Sequence, residues 1–201
     1  MMPAKRSATA EKILVQSAEL FAQKGYDALS LRDIANACGM KAPSLYNHFK
    51  DKETLYRAVL QTVFSKQAPQ LLSCFQTDAL PEIQLKHFIH TACLAISKDS
   101  VFSSLFLREL ISSEGLYVQF LAEEVMAETC QAIHDVLIKI EPKCDSHFMT
   151  TSLVGLIVFQ FQMNKMRPFM SGSEPKHSET AYIAEQIEKL IFNQIGAIKA
   201  V

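Results

Sequence analysis

Residues 29–55, LSLRDIANACGMKAPSLYNHFKDKETL, carry the most information about the fold of this chain. Within it, Ala35, Gly39 and Leu45 stand four and six residues apart, and apolar residues flank them. Where two helices cross steeply over a short turn, a small residue lets the second helix approach, a glycine supplies positive φ, and a buried leucine anchors the second helix. The pattern predicts a helix-turn-helix, whose second helix can enter a DNA major groove. An ordinary hairpin within a helical core is the alternative.

In the rest of the chain, on both sides of residues 29–55, apolar residues recur every three or four positions, which is the spacing of an α-helix. Residues that can cap a helix precede several of these segments. Ser7 and Thr9 can cap the first helix, and Gly25 can end it with a left-handed residue. Ser30 and Asp33 form a capped start for the second helix. The fold class is therefore all-α, with about nine helices. They are predicted over about residues 10–24, 31–38, 41–49, 51–75, 81–96, 103–111, 117–140, 146–166 and 177–198.

The core Leu45-Tyr-x-His-Phe-x-x-Lys-x-x-Leu55 resembles the signature of the tetracycline-repressor (TetR) family of transcriptional regulators. The preceding Ala18-x-Leu-Phe-x-x-x-Gly-Tyr-x-x-Leu-Ser-x-x-x-Ile-Ala35 matches as well, so the resemblance by motif covers about residues 10–57. It implies a helix-turn-helix DNA-binding domain over residues 1–55, connected by the helix of about 51–75. A helical effector-binding and dimerisation domain over 56–201 would follow.

The short second helix of the motif can bring only a few side chains to the bases. By position these are Ala42, Pro43, Ser44, Tyr46 and Asn47; asparagine suits adenine, and the apolar pair suits a thymine methyl. The resemblance places Tyr46, His48 and Lys52 on phosphates, and helix starts add Ser30, Arg32 and Lys41. Tyr46 could instead be half-buried core, and His48 could cap or pack. The sequence departs from the commoner family pattern at Ala42-Pro43 and at Asn47. These departures affect which operator sequence is expected more than they affect the expected binding to DNA.

The charge of the chain is unevenly distributed. Residues 1–57 hold nine basic and six acidic side chains, a net of +3, and the remainder has a net of −4. A small basic part joined to a larger acidic part is typical of a nucleic-acid reader coupled to another sensor. Lys5 and Arg6, near the N-terminus, can reach a minor groove. Solvated surface charge is the alternative.

The last two predicted helices indicate a homodimer. One short recognition helix makes few contacts, so helix-turn-helix proteins usually bind palindromic half-sites as two-fold dimers. The helix at 146–166 is apolar nearly all round and must be covered on every side, by its own core or by a second subunit. A monomeric core helix is the alternative. The predicted interface residues are Val154, Val158, Phe161, Ile187, Ile191, Gln194 and Ile195.

The middle helices are rich in Phe and Met, which pack adaptably and can line an apolar ligand pocket. The candidate ligand-binding residues are Phe64, Phe88, Phe102, Phe106, Phe120, Met126, Phe159 and Met163. A fully packed core is the alternative. A metal sensor using His87, His90 and Cys93 would need a fourth ligand that the sequence does not supply, so we expect no cofactor and no metal.

The predicted function is a ligand-responsive DNA-binding regulator. We expect a repressor that binds a palindromic operator as a homodimer and releases it on binding a small apolar effector. The alternative is a DNA-bound adaptor of the same fold that recruits a protein partner. Motifs of enzymes such as HExxH or a P-loop are absent from the sequence, so we expect no enzyme. Five scattered cysteines, no signal peptide and no membrane segment predict a cytoplasmic protein.

Overall fold

The computed structural model describes residues 7–111 and 117–199, and within them the chain is helical with no β-strand. This confirms the predicted all-α class. Ten α-helices are numbered in chain order: α1 Ala8–Lys24, α2 Leu31–Ala37, α3 Ala42–Tyr46, α4 Lys52–Ser73, α5 Pro81–Lys98, α6 Ser100–Ile111, α7 Val118–Phe120, α8 Ala127–Ile140, α9 Ser146–Gln162 and α10 Thr180–Lys199.

The helix starts follow from side-chain caps. The Ser7 hydroxyl accepts from the Ala10 N–H, which confirms one of the two predicted caps, whereas Thr9 lies inside α1. Ser30 and Asp33 form a reciprocal capping box at the start of α2. Asp51 accepts from the Thr54 N–H at 2.7 Å and so stabilises the start of α4.

One predicted helix is divided, and another ends earlier than expected. The segment predicted as a continuous helix over 117–140 contains the three-residue α7, a π-helical stretch Leu121–Val125, and α8. Helix α9 ends at Gln162, and short 3₁₀ turns fill much of the way to α10. A pattern of apolar residues does not separate π and 3₁₀ geometry from α-helix here, because segments of three to five residues are too short to show a period.

The chain forms two compact units by packing. The first contains residues 1–66 and 104–125, and the second contains 67–103 and 126–201. Residues 104–111 and 117–125 therefore pack with the N-terminal helices, although the predicted boundary places them in the second domain. The expected functional division after residue 55 stays a prediction.

The core of the first unit lies beneath the helix-turn-helix. Its fully buried side chains include Ile13 and Phe21 of α1, Ile34 of α2, Leu45 of α3 and Leu55 of α4. Because three of the seven residues of α2 and one of the five residues of α3 are buried, the other side chains of these two helices face outward.

The second unit is built around α5, which packs against α8, α9 and α10. Leu85 and Ile89 of α5, Leu153 of α9 and Ile183 of α10 are almost completely buried there. In the two described ranges, every helix is too short or too polar to cross a membrane.

Candidate nucleic-acid interface

The turn between α2 and α3 has the predicted geometry. Gly39 has φ 70°, and the Met40 N–H donates to the Ala35 carbonyl at 3.0 Å. Ala35 and Leu45 are fully buried, so the small residue and the anchoring leucine serve the roles predicted for them. The structure thus confirms a helix-turn-helix.

Helix α3 is shorter than predicted, with five residues, and Pro43 lies in its first turn, where no internal hydrogen bond is lost. Leu45 and Phe49 fix it to the core, since both are at most 5% exposed. The residues between and around these two anchors face away from the core, toward solvent. Pro43, Ser44, Tyr46, Asn47 and His48 are exposed, and Ala42 is half-buried.

Tyr46 is 54% exposed, which disfavours the alternative that it belongs to the core. Asn47 and His48 follow the end of α3 and are exposed beside it. The six predicted residues from Ala42 to His48 therefore form one contiguous surface, and we call these residues, without Leu45, the α3 face. Amide, hydroxyl, imidazole and phenol groups on such a surface can donate to and accept from base edges and phosphates.

Two predicted phosphate contacts are engaged within the chain instead. The Lys52 ammonium donates to the carbonyls of Tyr26 and Leu29, both at 3.1 Å, and lies 4.0 Å from the centre of the Tyr26 ring. The Ser30 hydroxyl donates to the Asp33 carboxylate and accepts from the Asp33 N–H. The Ser30 hydroxyl has a single hydrogen, which it donates to Asp33, whereas the Lys52 ammonium has three, of which two go to these carbonyls.

Arg32 and Lys41 are exposed near the starts of α2 and α3, where backbone N–H groups favour anions. They remain predicted phosphate contacts. Hydrogen bonds from Ser30 lower the pKa of Asp33, so that carboxylate is ionised close to them at neutral pH. Lys5 and Arg6 lie outside the described residues.

Sequence reasoning missed Arg108 and Glu109 at the end of α6. Arg108 donates from Nε to the Ala22 carbonyl at 2.9 Å and from Nη2 to the Gln23 carbonyl at 2.8 Å. Glu109 is 5% exposed and accepts from the Tyr56 hydroxyl, and burial raises its pKa although that hydrogen bond opposes the shift. Adjacent charges within the apolar run FSSLFLREL were the available signal.

The candidate ligand-binding residues fall into both units. Phe64, Phe106 and Phe120 are buried in the first unit, where the Phe64 and Phe106 rings meet edge to face. Phe88 and Phe102 are buried in the second unit, whereas Met126 and Met163 are half-buried there.

Phe159 does not fit an internal pocket. Its side chain is 61% exposed, so we withdraw it from the predicted ligand site. An α-helix that is apolar all round gives no sequence signal for which aromatic residue faces solvent.

Four of the residues predicted for the dimer interface are buried within their own protomer. Val158, Ile187, Ile191 and Ile195 are at most 4% exposed, so their side chains have little surface to offer a partner. Val154 and Phe161 are half-buried, and Gln194 is exposed. The interface prediction fails for the four buried positions because the apolar stripe of α10 covers the core of its own unit.

The exposed apolar side chains of α9 and α10 lie on a different face of each helix from the buried positions predicted for the interface. On α9 the exposed face comprises Phe148, Thr151, Gly155 and Phe159, spaced three and four residues apart, and on α10 it includes Leu190. Phe148 and Phe159 are 64% and 61% exposed, and Leu190 is 55% exposed. We call these five residues the α9–α10 face.

The residues weighed for a metal sensor do not converge. Cys93 is completely buried, whereas His87 and His90 are exposed and His90 contacts Glu188 at 3.1 Å. Among the residues that the structure describes, no group of three or more His, Cys, Asp and Glu side chains could hold a metal ion.

Comparisons with known proteins agree with this geometry. The family described as "Bacterial regulatory proteins, tetR family" matches residues 13–59, the region from α1 into α4. The chain belongs to the TetR family. It is a DNA-binding transcriptional regulator, as are the relatives it resembles.

Two curated relatives differ in how much of the regulator they match. The transcriptional activator FasR of Mycolicibacterium smegmatis is 24% identical over 172 residues, which are 85% of this chain and 76% of FasR. The transcriptional repressor ComR of Escherichia coli is 47% identical over 55 residues, which are 27% of this chain and 26% of ComR. Identity is thus highest where the match is short.

Among solved structures, the regulator resembles AibR in complex with isovaleryl coenzyme A and operator DNA. The TM-score is 0.73 at 21% identity, covering 92% of this chain and 98% of AibR. At this identity the likeness shows the fold alone.

Proposed function

We propose that the regulator is a ligand-responsive repressor that binds a palindromic operator as a homodimer. The α3 face carries this proposal, because it presents Ser44, Tyr46, Asn47 and His48 to solvent from a helix anchored by buried Leu45. Asn47 would read adenine through its amide, while Arg32 and Lys41 would contact phosphates.

A second copy of the chain completes the proposed DNA-binding form. The five-residue α3 reaches too few base pairs for tight recognition, so two copies on successive major grooves are needed. The α9–α10 face is suited to hold them, because it exposes two phenylalanines and a leucine beside a glycine that permits close approach. Met166, Phe169 and Met170 extend the exposed apolar surface beyond α9.

The proposed effector is a small, largely apolar molecule. Buried aromatic side chains such as Phe88 and Phe102 in the second unit provide the apolar surroundings that such ligands need. AibR, which shares the fold, was solved with isovaleryl coenzyme A, so short-chain acyl coenzyme A thioesters are the first compounds to test, with the acyl group as the small apolar part and the coenzyme A as a charged carrier.

Release follows if the effector favours a dimer whose two α3 faces no longer match the groove spacing. Successive major grooves of B-DNA are about 34–36 Å apart. A ligand shifts this equilibrium only by its difference in affinity for the two conformations. Repression is proposed over activation because release on effector binding then switches transcription on.

The test is selection of duplexes from a random library with purified regulator, with and without isovaleryl coenzyme A. We expect a palindromic site of two half-sites, and weaker recovery with the thioester than with free coenzyme A as the matched control. Recovery of a palindrome that no acyl thioester or fatty acid weakens would favour the protein-recruiting adaptor. A failure to enrich any sequence would contradict the proposal.

A further inference from the structure

The connection between α1 and α2 is held by two cations that come from distant parts of the chain. Arg108 of α6 donates to the carbonyls of Ala22 and Gln23, and Lys52 of α4 donates to those of Tyr26 and Leu29. All four acceptors lie within residues 22–29, which we call the α1–α2 turn. All of these residues belong to the first unit.

The chemistry of Arg108 fits this position. The last carbonyls of an α-helix lack internal partners and carry the negative end of the helix dipole. The planar guanidinium places two N–H groups side by side and can satisfy neighbouring carbonyls together. Its Nη1 also lies against Gly25, where a Cβ would approach it to 3.1 Å. Gly25 has φ 85° and ψ 171°, so it turns the chain out of α1 in an extended rather than a left-handed helical conformation.

Lys52 binds the later carbonyls of the same turn, those of Tyr26 and Leu29. Two carbonyls and the face of the Tyr26 ring surround its ammonium. The Tyr26 ring in turn packs against Tyr56 at 4.9 Å and Tyr117 at 5.4 Å between ring centres. Backbone carbonyls and aromatic faces are acceptors for a cation, so Lys52 is bound where it lies.

We infer that Arg108 and Lys52 are positioning residues for DNA recognition, which act through the α1–α2 turn and not through phosphate contacts. The turn leads directly into Ser30, the cap of α2, and α2 packs on α3. A shift of the turn therefore moves the α3 face, and a recognition surface requires its residues to be held within about 0.5 Å. The inference rests on the proposed operator binding.

The test compares Arg108→Gln, Lys52→Gln and the double variant on the selected operator at several salt concentrations. Arg57→Gln is the matched control, because it removes the same charge from the same unit, where Arg57 pairs with Glu53. Binding is measured well below the unfolding temperature of each variant. Charge-assisted hydrogen bonds predict a loss of about 10-fold to 100-fold for each single variant.

Three measurements distinguish a positioning role from a phosphate contact and from a role in fold stability alone. The slope of log K against log salt should stay at the wild-type value, whereas loss of a phosphate contact would reduce it by about 1. The double variant should lose less than the product of the single losses, because both cations hold the same turn. Arg108→Lys, which restores the charge but not the planar fork, should recover part of the affinity.

Several outcomes would overturn the inference. A reduced salt slope in Lys52→Gln or Arg108→Gln would assign that residue to the phosphate backbone. Wild-type affinity in folded Arg108→Gln and Lys52→Gln would limit the two cations to fold stability. If Arg108→Gln does not fold, Arg108→Lys gives the same decision, since an unweakened Arg108→Lys contradicts a need for the fork. A wild-type protein that enriches no operator would refute the proposed function first.

Discussion

The helix-turn-helix in the first unit and the paired helices α9 and α10 in the second unit were predicted from sequence with different success. In the first unit, the buried Leu45 and the exposed Asn47 lie where the spacing placed them. In the second unit the helices are present, but Ile191 faces inward and Phe159 outward. Short helices bounded by caps and glycines have one possible buried side, whereas a helix that is apolar all round has several.

The difference separates two kinds of surface. The α3 face is small and presents four polar side chains beside Ala42 and Pro43, as a base-reading surface should, and its exposure needs no partner to explain it. The α9–α10 face exposes large apolar side chains, which cost free energy in water unless another molecule covers them. Substitutions on each surface should therefore have different consequences, and the following predictions are ordered by the size of the expected effect.

The largest effect is expected from Phe159→Glu on the α9–α10 face. We expect folded monomers whose operator affinity is lower by about 100-fold or more, because linked binding of two half-sites is lost. Sedimentation and operator titration measure the two effects.

Ile191→Glu is the matched control for the same charge on the buried side. Ile191 is 3% exposed, so a carboxylate there should lower the free energy of unfolding by several kcal/mol before any effect on assembly. A folded, dimeric Phe159→Glu protein would reject the α9–α10 face as the interface.

The next effect is expected from Asn47→Ala on the α3 face. The variant should lose about 1–3 kcal/mol of discrimination at one base pair in each half-site, because an asparagine amide pairs with adenine through two hydrogen bonds. Its unfolding free energy should change little, since Asn47 is exposed. Asn36→Ala, an exposed asparagine on α2, is the control. Equal preferences of wild type and Asn47→Ala across randomised operators would exclude Asn47 from base reading.

The sequence predicted well what is local. The caps at Ser7 and Ser30 and the positive φ of Gly39 depend on neighbours within a few residues, and the structure has all three. The bonds of Arg108 to the end of α1 join residues more than 80 positions apart, and no local rule predicts such a pairing. Lys52 illustrates the same limit, because its place in a motif does not say which oxygen its ammonium binds.

A smaller effect is expected from Gly25→Ala in the α1–α2 turn. A positive φ with ψ near 180° is essentially restricted to glycine and costs alanine about 1–3 kcal/mol, and the new Cβ would approach Arg108 Nη1 to 3.1 Å. The free energy of unfolding should fall by that amount, as measured by urea titration. Gly196→Ala is the control, because a Cβ there meets open space, the residue has no positive φ, and it lies outside the α9–α10 face. Equal stabilities of wild type and Gly25→Ala would show that the turn relaxes without cost.

The smallest effect is expected from Glu109→Gln, through the pH dependence of stability. Burial raises the pKa of Glu109 in the folded protein above its unfolded value of about 4.3. Between those two values the folded state binds more protons than the unfolded state, so stability falls as pH rises through this window. Glutamine removes the titration and can still accept from the Tyr56 hydroxyl. The wild-type minus variant difference in unfolding free energy should therefore become less favourable from about pH 4.3 upward, by on the order of 1 kcal/mol per unit of pKa difference.

Tyr56→Phe should shift the same curve in the opposite sense from Glu109→Gln. The Tyr56 hydroxyl donates to the carboxylate and lowers its pKa, so removing that donor raises the pKa further and widens the window of falling stability. Urea titrations at about pH 5 and about pH 8 measure both variants against wild type. The outcome bears on the comparison of the two units, because Glu109 lies on α6 but packs with the helix-turn-helix. Identical pH dependence in wild type and Glu109→Gln would mean that Glu109 stays solvated, and the first unit would then owe less of its stability to residues 104–111 of α6 than their burial indicates.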